Sequence, residues 1–383
     1  MVLKNYRTLA AVQDWDSTAQ TIITQLPRDF LAQRYYIDMD SAAVTAAGSV
    51  TAVVDGGLKM ITNIKIVAVG EGSSRTIFEV NGEDLYHMNL FDYGSPVSPI
   101  QLSLAASPAQ LHMNLFDYGA PVSPITFPLG TNSNQIHMNF CIDFRCNKLD
   151  PDDYSVALPT YLLSSLQLEI TYAVPSTTNY GSNPPTTFAT DVTTRITCVE
   201  GIPEAGEDFS SNPLMTVLSK SMTADTSTGS LESFDTFFQV GALIRRDFLR
   251  VEDSSNVRAD AEMTNFQVNS GTIPLMSNIY TDSQKMNNLI NYRIGSGYPR
   301  GTGVFTGTTA TVATVPYDNG AYVSDGYLMI DFYNNRMPFI NTAGGLRIGG
   351  LSTVGYNTSD LVFQGNFIAA SSVIRRVQET VEG

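Results

Sequence analysis

Leu166-Gln167-Leu168-Glu169-Ile170-Thr171-Tyr172 alternates an apolar with a polar side chain at every step. Successive side chains of an extended strand point to opposite faces. The run therefore reads as a strand with one buried and one wet face, as in an antiparallel sheet. The same grammar extends in both directions. Upstream, Tyr36-Ile37-Asp38-Met39-Asp40 is short and alternates, residues 50–54 lead into the tight-turn signature Asp55-Gly56-Gly57, and Ile64-Lys65-Ile66 alternates within 58–69. Ile77-Phe78-Glu79-Val80 runs into Asn81-Gly82, another turn dipeptide. Downstream, strands are expected at 234–244, Phe248-Leu249-Arg250-Val251, 327–332, 345–349 and 360–367. Many short strands punctuated by Gly, Pro and Asn predict an all-β chain of sandwich or jelly-roll type.

The chain has 383 residues, more than the usual single domain, and 43% of them are hydrophobic, enough for two cores. Residues 175–187 read as a loop. The stretch 201–232 is rich in Gly, Ser, Thr, Asp and Pro, with a short apolar patch at 214–218, and is the best domain boundary. Residues 1–32 read differently. Tyr6, Leu9 and Val12, then Ala19, Ile22, Ile23 and Leu26, recur at helical spacing before Pro27 interrupts them. That predicts an N-terminal arm with one or two short helices, carrying Trp15, the only tryptophan. Such an arm either packs on its own domain or reaches a neighbour or a membrane surface. A helix is expected over 283–292, where Met286, Leu289 and Ile290 share a face, and residues 301–315 fit a loop or a pleated edge.

Only 15% of the residues are charged, against about 25% in an average globular chain, as suits a protein covered by neighbours or a secreted β-protein. The net charge of −15 argues against a general basic face for nucleic acid, since neutralising phosphates requires clustered Lys and Arg. In a coat, a membrane or a separate basic protein would then stand between shell and genome. Three cysteines make no disulfide framework. The opening Met-Val-Leu-Lys-Asn-Tyr-Arg has no apolar signal core and no run of 18 apolar residues occurs, so a soluble protein made in a cytoplasm is expected.

His87-Met88-Asn89-Leu90-Phe91-Asp92-Tyr93-Gly94 recurs at 112–119. Both copies continue with Pro-Val-Ser-Pro-Ile, and a partial third copy begins at His137-Met138-Asn139-Phe140. Two units and a fraction are too few for a solenoid, so this 25-residue duplication (87–136) is expected in a surface excursion of the first domain. A metal or proton-sensing ladder of His87, His112 and His137 is the weaker reading, because Met and Asn follow each histidine where Asp, Glu or Cys would ligate better.

The set His137, Cys141, Cys146 and Cys198 has borderline zinc spacing. On a strand, positions 141 and 146 point to opposite faces, so small buried thiols are expected. Gly-x-Ser-x-Gly, His-Glu-x-x-His and phosphate-loop motifs are missing. The acid pairs Asp38/Asp40 and Asp152-Asp153 are not singled out, and the second follows Asp150-Pro151 as a turn would. No catalytic, cofactor-binding or metal residue is assigned. Arg245-Arg246 and Arg375-Arg376 are the adjacent basic pairs, expected in solvent, in surface ion bridges or against a neighbour's carboxylates. The second pair would also suit anionic headgroups. The candidate assembly or membrane contacts are Trp15, Ile22, Ile23, Arg375 and Arg376.

In order and texture the chain resembles the double jelly-roll major capsid proteins of tailless icosahedral viruses, the lineage shared by tectiviruses and adenoviruses. The likeness rests on the arm, the strand at 64–69, the polar connector and a second strand set. That set includes Asp325-Gly326-Tyr327-Leu328-Met329-Ile330-Asp331-Phe332, then Asn334-Asn335-Arg336-Met337-Pro338-Phe339, then 361–369. The resemblance implies two consecutive eight-stranded jelly rolls: an arm at 1–32, a first roll at 33–204, a connector at 205–232 and a second roll at 233–383. It also implies a homotrimer of pseudo-hexagonal outline, contacts with neighbouring capsomers and with penton or minor capsid proteins, and an internal membrane beneath the shell. The protein would reside in the virion, that of a bacteriophage among others, with no enzymatic role. Two other readings stand beside it: a β-sandwich receptor- or glycan-binding module, with Tyr292, Tyr298 and Tyr317 as candidate contacts, and a carbohydrate-active β-enzyme with two converging carboxylates.

Overall fold

Two sandwiches follow one another along the chain and share a sheet. They are seen in a computed structural model that describes residues 2–9, 14–44, 50–51, 56–70, 73–93, 101–106, 109–114, 126–127, 134–145, 152–154, 157–180, 184, 186, 188, 191–203, 217–229, 231–234, 238–292, 301–306, 312–317, 326–332, 340–342, 345–347 and 350–382. A seven-stranded sheet runs Val2–Thr8, Thr193–Pro203, Leu31–Val44, Asn134–Asp143, Gln101–Ala106 and Ala109–Asn114, with Leu158–Pro159 also paired to Leu31–Val44. It packs on the first four strands of a nine-stranded sheet: Gln20–Gln25, Ser165–Tyr172, Ile61–Gly70 and Ser73–Val80. That sheet then continues into the second half of the chain as Val217–Thr226, Val373–Glu382, Leu243–Glu252 and Tyr327–Asp331, with Leu351–Ser352 beside Leu243–Glu252. Those strands in turn pack on a four-stranded sheet, Leu231–Phe234, Leu361–Phe367, Met263–Ser270 and Ile273–Tyr280.

The two halves match strand for strand. Val2–Thr8 corresponds to Val217–Thr226, Leu31–Val44 to Leu243–Glu252, Ile61–Gly70 to Met263–Ser270, Ser73–Val80 to Ile273–Tyr280, and Thr193–Pro203 to Val373–Glu382. Each hairpin is followed at once by a twelve-residue helix, Gly82–Tyr93 in the first half and Thr281–Tyr292 in the second. Fine detail repeats as well. The Asn89 side chain donates to the Cys141 carbonyl and accepts from the Cys141 N–H, each at 2.9 Å. Asn288 does the same to Met329 at 2.9 and 3.0 Å. Thr160 donates from both its N–H and its hydroxyl to the Phe30 carbonyl, and Thr353 donates in the same two ways to Ala242. The Phe144 N–H meets the Gln33 carbonyl as the Phe332 N–H meets that of Arg245. The two jelly rolls are therefore one topology used twice.

Leu166–Tyr172 is a strand, with every second residue buried. The helix expected at 283–292 is present as Thr281–Tyr292, and Gly301–Thr306 is a strand paired antiparallel with Val312–Tyr317. Three expectations need correction. The described part of 1–32 holds no helix: Val2–Thr8 and Gln20–Gln25 are strands of the first sandwich. Their helix-like spacing is coincidental, because Ile22 and Leu26 face the core while Ile23, a neighbour in the strand, is exposed. The connector is shorter than expected, since Val217–Thr226 and Leu231–Phe234 are strands of the second half. Finally, the first copy of the duplicated octapeptide is no surface excursion. Asn81 caps a helix there, accepting the Asp84 N–H at 2.7 Å, and His87, Met88, Asn89, Phe91 and Asp92 are buried. A Cβ on Gly82, the first residue of that helix, would lie 2.8 Å from the Ile61 Cβ and 2.9 Å from the Leu58 carbonyl oxygen. The Asn-Gly pair read as a turn is thus a helix start pressed against the hairpin. The second copy begins in the strand Ala109–Asn114, and the partial third lies in Asn134–Asp143.

Candidate assembly interface

The site that organises the chain is the junction between its halves. At sheet level it is a parallel meeting of Ser73–Val80 with Val217–Thr226, at Phe78 and Lys220. Above that seam, the helix Gly82–Tyr93 of the first half lies on the outer face of Leu243–Glu252 and Tyr327–Asp331. Leu243–Glu252 is consequently buried along both faces, although its sequence, LIRRDFLRVE, carries five charges. Ile244, Leu249 and Val251 join the core of the second sandwich, whereas Phe248 joins that of the first.

Aromatic stacking and ion pairs hold the helix down. His87 stacks on Tyr327 with ring centroids 4.1 Å apart, and Phe91 meets Phe248 edge-on at 5.2 Å. Arg250 pairs with Glu83 (2.5 Å), Asp84 (3.1 Å) and Glu252 (3.2 Å), and Arg258 reaches Glu83 at 3.2 Å. The Tyr327 hydroxyl donates to Asp84 at 3.2 Å. Near the other end of the helix Arg246 pairs with Asp92, and with Glu379 at 2.9 Å; Arg245 shares Glu379 at 3.0 Å. Burial alone would make the Arg250 guanidinium easier to deprotonate, but Asp84 and Glu83 outweigh it and hold the group well above its ordinary value. Charges taken this far from water persist only when paired and hydrogen-bonded. Cations and anions interleave at this seam, although neither Asp92 oxygen has a hydrogen-bond partner among the described residues.

A second ionic feature lies inside the second sandwich. Asp247 is fully buried with no hydrogen-bond partner for either oxygen among the described residues, and Arg376 stands 3.8 Å away, its guanidinium over the Phe238 ring. Desolvation pushes the Asp247 carboxyl up to about 7, with Arg376 opposing. Burial likewise lowers the Arg376 guanidinium, Asp247 and Asp225 opposing.

The contact residues expected from the sequence fall into two groups. Trp15 lies wholly within the first sandwich, stacked on Tyr172 at 4.5 Å, edge-on to Phe188, its indole N–H donating to the Thr18 carbonyl at 2.7 Å. Ile22 and Arg376 are also buried, so none of the three is a surface contact in this fold. Ile23 is exposed, and Arg375 is partly exposed while pairing with Glu252 at 2.8 Å. The expectation that the two arginine pairs lie in solvent or in surface bridges is corrected: Arg245, Arg246 and Arg376 are buried within the chain. Sequence reasoning missed Glu83, Asp84, His87, Phe91 and Asp92. The available signal was LIRRDFLRVE itself, where charges occupy both faces of a strand in a low-charge chain.

Cys141 and Cys198 are buried free thiols, and burial pushes Cys198 up to about 12. No group of three or more His, Cys, Asp or Glu side chains among the described residues is arranged to hold a metal ion. The side chains of His112, His137, Cys146, Tyr292, Tyr298 and Tyr317 lie outside the described residues.

No protein-family model matches the sequence, and no curated protein matches it. Solved structures do match, over essentially the whole chain. The major capsid protein of Sulfolobus Turreted Icosahedral Virus aligns with a TM-score of 0.64 at 13% identity, covering 99% of this chain and 96% of that one. The major capsid protein P2 of bacteriophage PM2 aligns at 0.52 and 10% identity, covering 100% and 98%. The Faustovirus major capsid protein aligns at 0.56 and 8% identity, covering 100% and 90%. The chain therefore has the double jelly-roll fold of these viral major capsid proteins.

Proposed function

We propose that this protein is a viral major capsid protein, a non-enzymatic subunit whose copies tile an icosahedral shell. The observation that carries the reading is the tandem repetition of one jelly-roll topology across a buried ionic junction, in a fold shared end to end with capsid proteins. A rigid pair of equivalent sandwiches gives one chain two similar building blocks. Three such chains approximate a hexagon, and hexagons cover a shell through many modest contacts acting together. The acidic charge fits a coat separated from its genome by an internal membrane, with penton and minor capsid proteins as further partners in the virion. Light scattering on the purified protein tests the trimer. The expected mass is about 125 kDa, three times the 41.6 kDa chain. A persistent monomer would sink the preformed trimer.

A further inference from the structure

A strand that ends a sheet leaves one row of backbone groups open, and proteins guard such edges with charges, prolines or covering segments. Four edges of the two sandwiches follow that rule. Val2–Thr8 carries Lys4 and Arg7, Leu231–Phe234 carries Glu232, Ile273–Tyr280 carries Pro274, and Tyr327–Asp331 ends in Asp331. Gln20–Gln25 does not. Its sequence, QTIITQ, has no charge, proline or glycine, and among the described residues it pairs only with Ser165–Tyr172. Thr21, Ile23 and Gln25, on its outer face, are exposed, Ile23 to 56%.

We propose that a second copy of this chain pairs here: the Gln20–Gln25 edges of two copies join antiparallel about a two-fold axis at Ile23, merging their nine-stranded sheets into one. The proposal rests on the self-assembly reading above and supplies the contact that joins one building block to the next.

The order of the open groups makes the edge self-complementary. The Leu26 N–H donates to the Leu166 carbonyl at 2.9 Å, and these two residues continue the register in which Gln25 faces Gln167. Bonded and non-bonded pairs alternate along an antiparallel ladder, so Thr24, Ile22 and Gln20 also direct their backbone groups to Ser165–Tyr172. The N–H and C=O groups of Thr21, Ile23 and Gln25 therefore point away from the sheet. With the axis at Ile23, Ile23 faces its own copy and Thr21 faces Gln25 twice. All three pairs are of the bonded kind, two bonds each, so six N–H···O=C bonds form. An axis at Ile22 would leave two such pairs and four bonds. Charge at the strand ends agrees. Carried past those ends, the same register points Arg28 of one copy toward the Asp16–Thr18 turn of the other, where Asp16 accepts the Thr18 N–H at 3.1 Å. Arg28 and Asp16 are both exposed, and the two-fold axis repeats their approach at the other end. Asp29, the acid next to Arg28, already pairs with Arg7 at 2.7 Å. An isologous contact of this kind closes on itself and links building blocks in pairs. It buries little apolar area and is weak alone, but a shell makes it many times over.

Cysteine cross-linking of the full chain tests the axis. Facing residues of a bonded pair have Cα atoms about 5.5 Å apart, within the span of a disulfide. Under mild oxidation Ile23→Cys should give a covalent dimer of about 83 kDa, twice the 41.6 kDa chain, well above the wild-type background. Thr21→Cys alone should stay at that background, because it faces Gln25, whereas Thr21→Cys mixed with Gln25→Cys should cross-link. Val354→Cys, exposed elsewhere on the chain, is the control. Ile23→Lys sets two cations together on the axis. In sedimentation velocity it should need at least about tenfold more protein than wild type to grow beyond the trimer. Thermal melts establish that each variant is folded. An Ile23→Cys yield no higher than that of Val354→Cys, Thr21→Cys cross-linking to itself as readily as Ile23→Cys, or growth unchanged by Ile23→Lys would overturn this contact while leaving self-assembly standing. A wild-type chain that is monomeric at every concentration, together with an Ile23→Cys variant that never cross-links, would overturn the self-assembly reading, and the contact with it.

Discussion

The two sandwiches share a strand order yet differ in what fills equivalent positions. In the first, Tyr35 and Ile196 point into the core; their counterparts in the second are Asp247 and Arg376. On the outer face, Tyr36 and Asp38 of the first are partly exposed, while Phe248 and Arg250 of the second are enclosed by the helix Gly82–Tyr93. One backbone plan thus tolerates apolar, aromatic or ionic fillings. What decides the filling is whether another layer covers the sheet. The second sandwich has a covered outer face and is held by ion pairs that are costly to break; the first is held mostly by apolar packing.

That contrast can be broken most forcefully at Arg250. Arg250→Met should deprive Glu83, Asp84 and Glu252 of their shared cation in a buried junction and cost about 3–5 kcal/mol, read as a drop in the urea or thermal midpoint. A loss below about 1 kcal/mol would show that the junction is hydrated in solution.

The next largest effect is in pH. The Asp247 carboxyl sits at about 7 when folded, against 3.8 for the unperturbed group. The folded state therefore holds this proton more tightly than the unfolded chain. Stability from this group is full below about pH 4, falls as pH rises towards 7 and is gone above that, by up to about 4 kcal/mol. Asp247→Asn should remove that slope from a series of melts between pH 5 and 8. An unchanged slope would assign it to other groups.

Asn89→Ala and Asn288→Ala probe what the halves share. Each breaks the same two-point clamp and leaves a buried strand amide and carbonyl unpaired, so each should cost about 1–3 kcal/mol. Similar losses in denaturant midpoint would support the equivalence, and a strongly unequal pair would weaken it. Arg195→Met should give the smallest effect, at most about 1 kcal/mol, because its pair with Asp38 is open to solvent.

Much of the fold was legible because strand periodicity is local. Leu166–Tyr172, and Ile64-Lys65-Ile66 within the strand Ile61–Gly70, follow from alternation alone. The second helix was also readable from spacing. The first helix was not. His-Met-Asn is helical at 87–89 and extended at 112–114 and 137–139, so the tripeptide does not determine its own conformation. The duplicated sequence drew attention to an insertion and away from a helix that closes the junction. The N-terminal strands were misread because five or six residues fit either periodicity when only their apolar positions are counted.

The sequence by itself determined that the chain is built from short amphipathic strands with two cores, carries a net charge of −15, and lacks the Gly-x-Ser-x-Gly, His-Glu-x-x-His and phosphate-loop motifs. Each of these follows from composition or from neighbours a few residues apart. Only the tertiary structure decided that the two halves are the same sandwich, that Arg245, Arg246 and Arg376 lie inside the protein, and that Trp15 is core. Those facts depend on pairings between residues far apart in the chain, such as Asp84 with Tyr327 or Arg246 with Glu379, where each partner alone looks like a solvated surface group. A charge becomes a structural element only when a distant segment covers it and supplies its counter-ion, and that condition is written in the packing of the layers.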